Sequence, residues 1–357
     1  MAKFHNIQVQ DIYKATRDCS VITFQIPEEL VADFQYKQGQ HLTLKTLIDG
    51  QDVRRSYSLC SSPVENKWQV AVKKINGGLF SSFVNDTLKK GDFLEIMAPS
   101  GKFNVEVNSE NAKNYIAFAA GSGITPILSI IKTHLAQEPN STFKLFYLNR
   151  SVKSIIFKEE IEQLKNRYFG RFEIFHFLTK EHRFSELFNG RFTKEKIQVL
   201  TDKIIDIPSI DDCFICGPEE MIFLLRDELN AAGLDKEKIH YELFTSGISE
   251  EDKKRIQKIV EHKVNGTDVT IIDGGKEFHF IMEDSYDNIL DGALAAGADL
   301  PFACKGGVCS TCKCMVVEGE VEMKINYALD AHEVARGLVL SCQAVPTTDK
   351  VVVDFGV

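Results

Sequence analysis

Four cysteines near the C-terminus carry the clearest chemistry in the chain: Cys304, Cys309 and Cys312, then Cys342 thirty residues later. The spacing C-x4-C-x2-C…C is the plant-type arrangement for a [2Fe–2S] cluster, in which four thiolates hold two irons. Such a cluster takes up or gives one electron at a time. Zinc is the competing metal, but zinc ribbons use two C-x2-C pairs, and here the fourth cysteine stands alone. Gly306 and Gly307 lie between the first two ligands. Without side chains, their backbone can wrap close and aim N–H groups at sulfur. Cys314, two residues past Cys312, has no place in the pattern and reads as a packed core thiol.

Three upstream motifs offer sites for larger cofactors. Arg55-Ser56-Tyr57-Ser58 combines a cation for a pyrophosphate, an aromatic face for a flat ring and hydroxyls for ring nitrogens. Arg54 beside it could equally be the anion ligand. About twenty residues on, Gly77-Gly78-Leu79-Phe80-Ser81-Ser82 is a glycine turn entering a helix, with Gly78 and Ser81 placed for a phosphate group. Together these two motifs favour a flavin dinucleotide over a plain hairpin and N-cap serine. Gly121-Ser122-Gly123-Ile124-Thr125-Pro126 follows an apolar strand and departs from G-x-G-x-x-G by putting Pro126 at the third position. Proline suits a helix first turn, and the glycines still allow a pyrophosphate to approach. Cys216-Gly217-Pro218 and Glu242 each end a further strand on the same edge of that sheet.

These residues must be positioned by a multidomain fold. Residues 1–108 read as antiparallel strands at Ser20–Ile26, Gln40–Thr46, Trp68–Lys73 and Phe93–Met97, separated by turns such as Asn76-Gly77-Gly78. An antiparallel β-barrel with one helix is expected. Residues 109–246 alternate strands (115–120, 143–148, 172–178, 212–215, 239–244) with helices (127–136 and about 158–166), the signature of an α/β domain with a parallel sheet. Ser249–Lys263 is dense in charge and reads as the core of an exposed linker, 247–263, helical in part. Residues 264–357 run strand (268–273), strand (277–282), helix (288–296), cluster loop and strand, which suggests a small α+β domain.

The net charge of −9 sits almost wholly at the end of the chain. From Lys263 to Val357 there are 7 basic and 15 acidic side chains, against 35 and 36 in the rest. That balance does not suit nucleic acid; it suits an acidic surface that steers a basic partner. Tyr115–Ile131 carries no charge, but it is too short for a membrane span and is broken by two glycines and a proline, so no membrane insertion is expected. The start, MAKFHNIQVQD, has no apolar core of a secretory signal. Nine cysteines without such a signal point to a reducing, cytoplasmic setting.

In their order, these motifs resemble those of the ferredoxin–NADP reductase superfamily, over essentially the whole chain. Within it the chain is similar to the three-domain reductases that feed multicomponent oxygenases. The resemblance implies an FAD-binding barrel over 1–108, an NAD(P)-binding domain over 109–246 and a β-grasp ferredoxin domain over 264–357. It implies that Arg55 holds the FAD pyrophosphate, Tyr57 packs on the isoalloxazine and Ser58 lies near its N5, with Gly78 and Ser81 as the second flavin motif. Gly121, Gly123, Thr125 and Pro126 then serve the nicotinamide nucleotide, Cys216, Gly217 and Pro218 lie near its ring, and Glu242 stands close to the hydride path. The implied activity passes a hydride from NADPH to FAD and single electrons through the [2Fe–2S] cluster to the oxygenase component of a multicomponent, diiron monooxygenase. Arg150, just past the second strand of the parallel sheet, suits the 2′-phosphate of NADPH, with NADH as the alternative. The alternatives are a reductase for another oxygenase or a desaturase (ring, steroid or fatty-acid hydroxylation), or a general ferredoxin-type NAD(P)H reductase. A sensor that holds a cluster without turnover would differ by lacking flavin absorbance.

Overall fold

A computed structural model describes residues 3–244 and 250–356. The chain forms two compact units, Phe4–Phe244 and Thr245–Val357 with Met1–Lys3. In the first unit, β1 (Phe4–Thr16), β2 (Cys19–Gln25), β3 (His41–Ile48), β4 (Gln51–Ser58), β5 (Trp68–Lys73) and β6 (Phe93–Met97) make one antiparallel sheet, ordered β4-β3-β6-β1-β2-β5. The helix α1 (Leu79–Asp86) lies between β5 and β6 in the chain. Beyond the end of β4, Leu59 bridges to Val70 and Cys60 N donates to Gln69 O at 2.9 Å, closing the sheet onto β5 as a barrel. Alternate residues point inward, and Ile7, Val9, Leu42, Leu44, Val70 and Val72 are buried.

The same unit continues as β7 (Asn114–Ala120), α2 (Ile124–Gln137), β8 (Thr142–Asn149), α3 (Lys158–Arg167), β9 (Phe172–Leu178), α4 (Lys194–Lys203), β10 (Asp212–Gly217), α5 (Glu219–Ala231) and β11 (Ile239–Leu243). Every pair in the sheet β11-β10-β7-β8-β9 is parallel. Strand order reverses between β7 and β10, and ligands of such sheets bind at the carboxyl ends beside that reversal. The uncharged stretch Tyr115–Ile131 is β7 and the first half of α2, buried almost throughout. A strand covered on both faces is expected to be continuously apolar. Among the described residues no helix is long and apolar enough to cross a membrane.

Helix α2 joins the barrel to the nucleotide block. Ser129 Oγ donates to Ser61 O at 2.6 Å, and the hydroxyls of Ser62 and Thr133 bond at 2.7 Å. Lys132, buried, is ion-paired to Glu65 of the barrel at 3.4 Å and to Glu160 of α3. At the other end of α2, Glu138 is fully buried and ties down the connection between the blocks. Its carboxylate accepts from Asn108 N (3.2 Å), Asn111 Nδ2 (2.8 Å), Tyr115 OH (2.9 Å) and Ser141 Oγ (2.8 Å).

The second unit holds α6 (Glu250–Glu261), β12 (Thr267–Asp273), β13 (Lys276–Met282), α7 (Ile289–Ala295), β14 (Lys313–Glu318), β15 (Val321–Met323), α8 (Ala331–Ala335), β16 (Leu338–Leu340), β17 (Ala344–Pro346) and β18 (Lys350–Asp354). Its main sheet is ordered β13-β12-β18-β14-β16, with β12 and β18 parallel and the other pairs antiparallel, the mixed pattern of a β-grasp. Helix α7 packs so closely on β13 that a Cβ at Gly292 would lie 2.7 Å from Phe280 Cε2. Of the segment expected as a linker, 247–249 lie outside the described residues. The rest is largely α6, with Ile259 buried and Arg255 Nη2 donating to Lys324 O at 2.5 Å.

Candidate functional site

The cluster loop runs between α7 and β14 and packs against the turn after β16, which carries Cys342. Cys309, Cys312 and Cys342 are buried, and Cys304 is partly exposed. The four thiols associate in two pairs. Cys304 neighbours Cys309, and Cys312 neighbours Cys342. Two pairs are the donor set that two irons sharing four thiolates require. A backbone amide points at sulfur as the glycines suggested: Gly306 N lies 3.3 Å from Cys304 Sγ. Gly307 has φ +75°, and a Cβ there would come 2.9 Å from Ile325 O, so only glycine lets the loop close. Within each pair the two thiols shift in opposite directions: Cys304 lowers Cys309 against the opposing effect of burial and is itself raised, and Cys312 lowers Cys342 and is itself raised. The residues therefore fit a [2Fe–2S] cluster. Cys314 is fully buried, and burial raises its thiol far above the ordinary range, as a core residue.

On β4 the two arginines separate by face. Asp52 and Arg54 share one face, two residues apart, and Arg54 is buried with its guanidinium on Asp52 at 2.9 Å and over the Phe4 ring at 5.2 Å. Arg55 shares the other face with Tyr57. It is exposed, and its guanidinium donates to Arg54 O at 2.7 Å. Of the two, Arg55 is the cation left for an anionic ligand. Tyr57 packs on Phe80 with ring centroids 5.7 Å apart, which brings this face of β4 to the start of α1. Burial, only partly opposed by Arg55, raises the Tyr57 phenol, so it stays neutral. At that helix start Gly78 is the N-cap with no side-chain cap, and the first-turn amides have no intrahelical acceptor. The Ser81 hydroxyl is engaged inside the turn, accepting from Ile75 N at 3.1 Å and donating to Gly78 O at 3.2 Å. A cation, an aromatic face and open helix amides suit a flavin dinucleotide.

The carboxyl edge of the parallel sheet gathers the remaining residues. Gly121 has φ +54°, a conformation favouring glycine, and its carbonyl accepts from Tyr147 OH at 2.9 Å. Gly123 is the N-cap of α2, where a Cβ would collide with Cys216 O at 2.2 Å; the two turns touch, and only glycine fits. Thr125 is buried and donates to Ser122 O at 3.0 Å, and Pro126 sits in the first turn of α2. A Cβ at Gly217 would lie 2.5 Å from Met221 Cε, and Pro218 caps α5. Cys216 on β10 pairs in register with Glu242 on β11. Burial first, then the Glu242 carboxylate, push the Cys216 thiol well up, so it stays neutral. Ser58, at the end of β4, donates from Oγ to Glu242 Oε2 at 2.9 Å. The last residue of the barrel motif and the last acidic residue of the nucleotide block thus form one wall. Arg150 follows β8, exposed. The sequence reading missed Lys73, at the end of β5, whose Nζ would lie 3.8 Å from a Cβ at Gly121.

Three domain families match along the chain. Residues 6–105 match an oxidoreductase FAD-binding domain, 118–227 an oxidoreductase NAD-binding domain, and 271–347 a 2Fe-2S iron–sulfur cluster binding domain. The chain is 41% identical to a subunit of the 1,2-phenylacetyl-CoA epoxidase of Escherichia coli (strain K12), covering 99% of this chain and 98% of that one. It is 32% identical to the ferredoxin reductase component of 3-ketosteroid-9-alpha-monooxygenase of Rhodococcus rhodochrous, over 98% and 96% of the two chains. In fold it resembles phthalate dioxygenase reductase, with a TM-score of 0.59 at 22% identity, covering 99% of this chain and 98% of that one.

Proposed function

The chain belongs to the ferredoxin–NADP reductase superfamily, as a reductase component of an oxygenase system with FAD, nicotinamide and [2Fe–2S] domains, and from that premise we propose that it serves a multicomponent diiron monooxygenase acting on phenylacetyl-CoA. When bound, FAD supplies the conversion of a hydride donor's electron pair into single electrons, and the cluster supplies the one-electron outlet. The division of labour follows the blocks 1–108, 109–246 and 264–357.

In the first block Arg55 neutralises the FAD pyrophosphate together with the first-turn amides from Leu79 to Ser81, and Tyr57 covers one face of the ring. In the second, the Gly121 and Gly123 turn and Thr125–Pro126 bring backbone close to the nucleotide pyrophosphate, with Lys73 adding charge. Gly217 and Pro218 shape the bed for the nicotinamide, and the neutral Cys216 lets the ring approach without a competing thiolate. Ser58 holds Glu242 in place at the hydride path. Arg150, whose guanidinium has no partner among the described residues, favours NADPH through the 2′-phosphate. Cys304, Cys309, Cys312 and Cys342 hold the cluster. Nine free thiols fit a cytoplasmic setting.

The observation that carries the reading is the 2.9 Å bond between Ser58 and Glu242, because it gives the flavin motif and the nicotinamide edge a common wall. The choice of phenylacetyl-CoA is supported by 41% identity along nearly the whole chain to a component of that epoxidase. Reconstitution tests the choice. Purified reductase, NADPH and the oxygenase component of a phenylacetyl-CoA epoxidase are expected to turn phenylacetyl-CoA over to its epoxide. Coupling to a 3-ketosteroid hydroxylase or a desaturase component, with none to the epoxidase, would contradict it.

A further inference from the structure

Gln343 follows the fourth cysteine of the cluster pattern and is buried, with 7% of its surface exposed. Its backbone is fixed on both sides, since Gln343 N donates to Leu340 O at 2.8 Å and its carbonyl accepts from Lys324 N at 3.0 Å. Its side-chain nitrogen Nε2 lies 3.0 Å from Lys305 O and 3.6 Å from Cys342 Sγ. A primary amide carries two hydrogens, one for each acceptor. Lys305 has φ +51°, an uncommon conformation for a residue with a side chain, so its carbonyl is aimed at Gln343 by a backbone that something must hold. A Cβ on Gly307 would lie 3.3 Å from Gln343 Cγ, so the ligand loop wraps this side chain closely.

We propose that Gln343 is a positioning residue that raises the reduction potential of the cluster, its amide donating at once to the sulfur of Cys342 and to the backbone of the loop that carries Cys304 and Cys309. The inference rests on the iron–sulfur reading of the four cysteines. An N–H···S bond strengthens as the sulfur gains negative charge, so it favours the reduced form, and hydrogen bonds to sulfur are a recognised means by which proteins tune such clusters. The Gly306 and Gly307 amides come with the fold of the loop. The Gln343 donor is a side chain, and substitution removes it without altering a peptide bond.

The test compares Gln343→Leu, which keeps the bulk, and Gln343→Glu, which keeps the shape but offers no donor when ionised, with the unaltered protein at matched iron and sulfide content. In a redox titration followed by the electron paramagnetic resonance of the reduced cluster, Gln343→Leu is expected to lower the ratio of reduced to oxidised cluster about tenfold at a fixed ambient potential. For one electron that is about 59 mV. Gln343→Glu is expected to shift further in the same direction, with the flavin potential and the NADPH–ferricyanide rate unchanged in both. An unmoved cluster potential in fully loaded Gln343→Leu overturns the proposal. If that variant loads no cluster, the unaltered protein decides: with glutamine labelled with 15N in its side chain, a 15N hyperfine coupling in the reduced cluster's spectrum supports the proposal and its absence overturns it. An unaltered protein that holds no cluster at all would instead remove the iron–sulfur reading.

Discussion

Replacing Glu138 by glutamine tests how the two cofactor blocks are held as one body. Glu138 has no exposed surface, and its two carboxylate oxygens accept four hydrogen bonds, two from the connecting stretch at Asn108 and Asn111. Burial alone would raise the carboxyl. His134, whose Nδ1 lies 3.3 Å away, and hydrogen bonds from Asn111, Ser141 and the Asn108 amide outweigh it and hold the group at about 2, against 4.5 in an unfolded chain. The folded value is the lower one, so the ionised form stabilises the fold. That contribution is complete above pH 4.5 and is lost as the pH falls toward 2. The difference corresponds to about 3 kcal/mol at neutral pH, declining to about 1.4 kcal/mol at pH 3. A glutamine in this place would present an NH2 group to donors, so most of this is forfeited. Urea unfolding can be followed by the fluorescence of Trp68, the single tryptophan, which lies in the barrel of the same unit. The expected result is a gap of about 3 kcal/mol between the two proteins at pH 7, narrowing by about 2 kcal/mol at pH 3. A gap that stays constant with pH, or a Trp68 transition that does not move, would refute the reasoning.

Cys309→Ser is expected to abolish the cluster's visible and paramagnetic signals while leaving the flavin. NADPH–ferricyanide activity should persist and reduction of a one-electron protein partner should fail; simultaneous loss of both activities would argue against independent blocks. Arg150→Ala is expected to lower the ratio of kcat/KM for NADPH over NADH by roughly 10- to 100-fold, the worth of a charge-assisted hydrogen bond; an unchanged ratio would remove Arg150 from the site. Lys132→Met keeps the buried stem and leaves Glu65 and Glu160 facing each other without their shared cation. Because both carboxylates are about one-third exposed, a cost of about 1–2 kcal/mol is expected in the unfolding of the first unit, below that of a fully buried pair.

The four-cysteine pattern was legible because it lies in the spacing, and the strands Trp68–Lys73, Phe93–Met97 and Phe172–Leu178 fall where apolar runs and turn residues put them. Strand β1 was not, although it is the longest. Its sequence, FHNIQVQDIYKAT, mixes polar and apolar residues without clean alternation, and it is fixed by pairing with β2 and β6 rather than by propensity. Helices α4 and α5 went unmarked for a related reason. Each buries only a narrow stripe, as Ile197 and Leu200 do for α4, inside a charged sequence. Composition leaves the choice between Arg54 and Arg55 open; strand alternation favours Arg55, because Asp52 lies two residues from Arg54 on the same face and pairs with it. Lys132, Glu138 and Gln343 act through partners far away in the chain, and no local pattern announces them.

The central claim is that electrons enter as a pair at the flavin and leave singly at the cluster. Anaerobic rapid mixing of the purified, cofactor-loaded protein with NADPH tests it directly, with flavin and cluster absorbance recorded together. Bleaching of the flavin band first, followed by the cluster band in the same molecules, is the predicted result. Cluster bleaching ahead of the flavin, or a cluster left oxidised while the flavin is fully reduced, would contradict it.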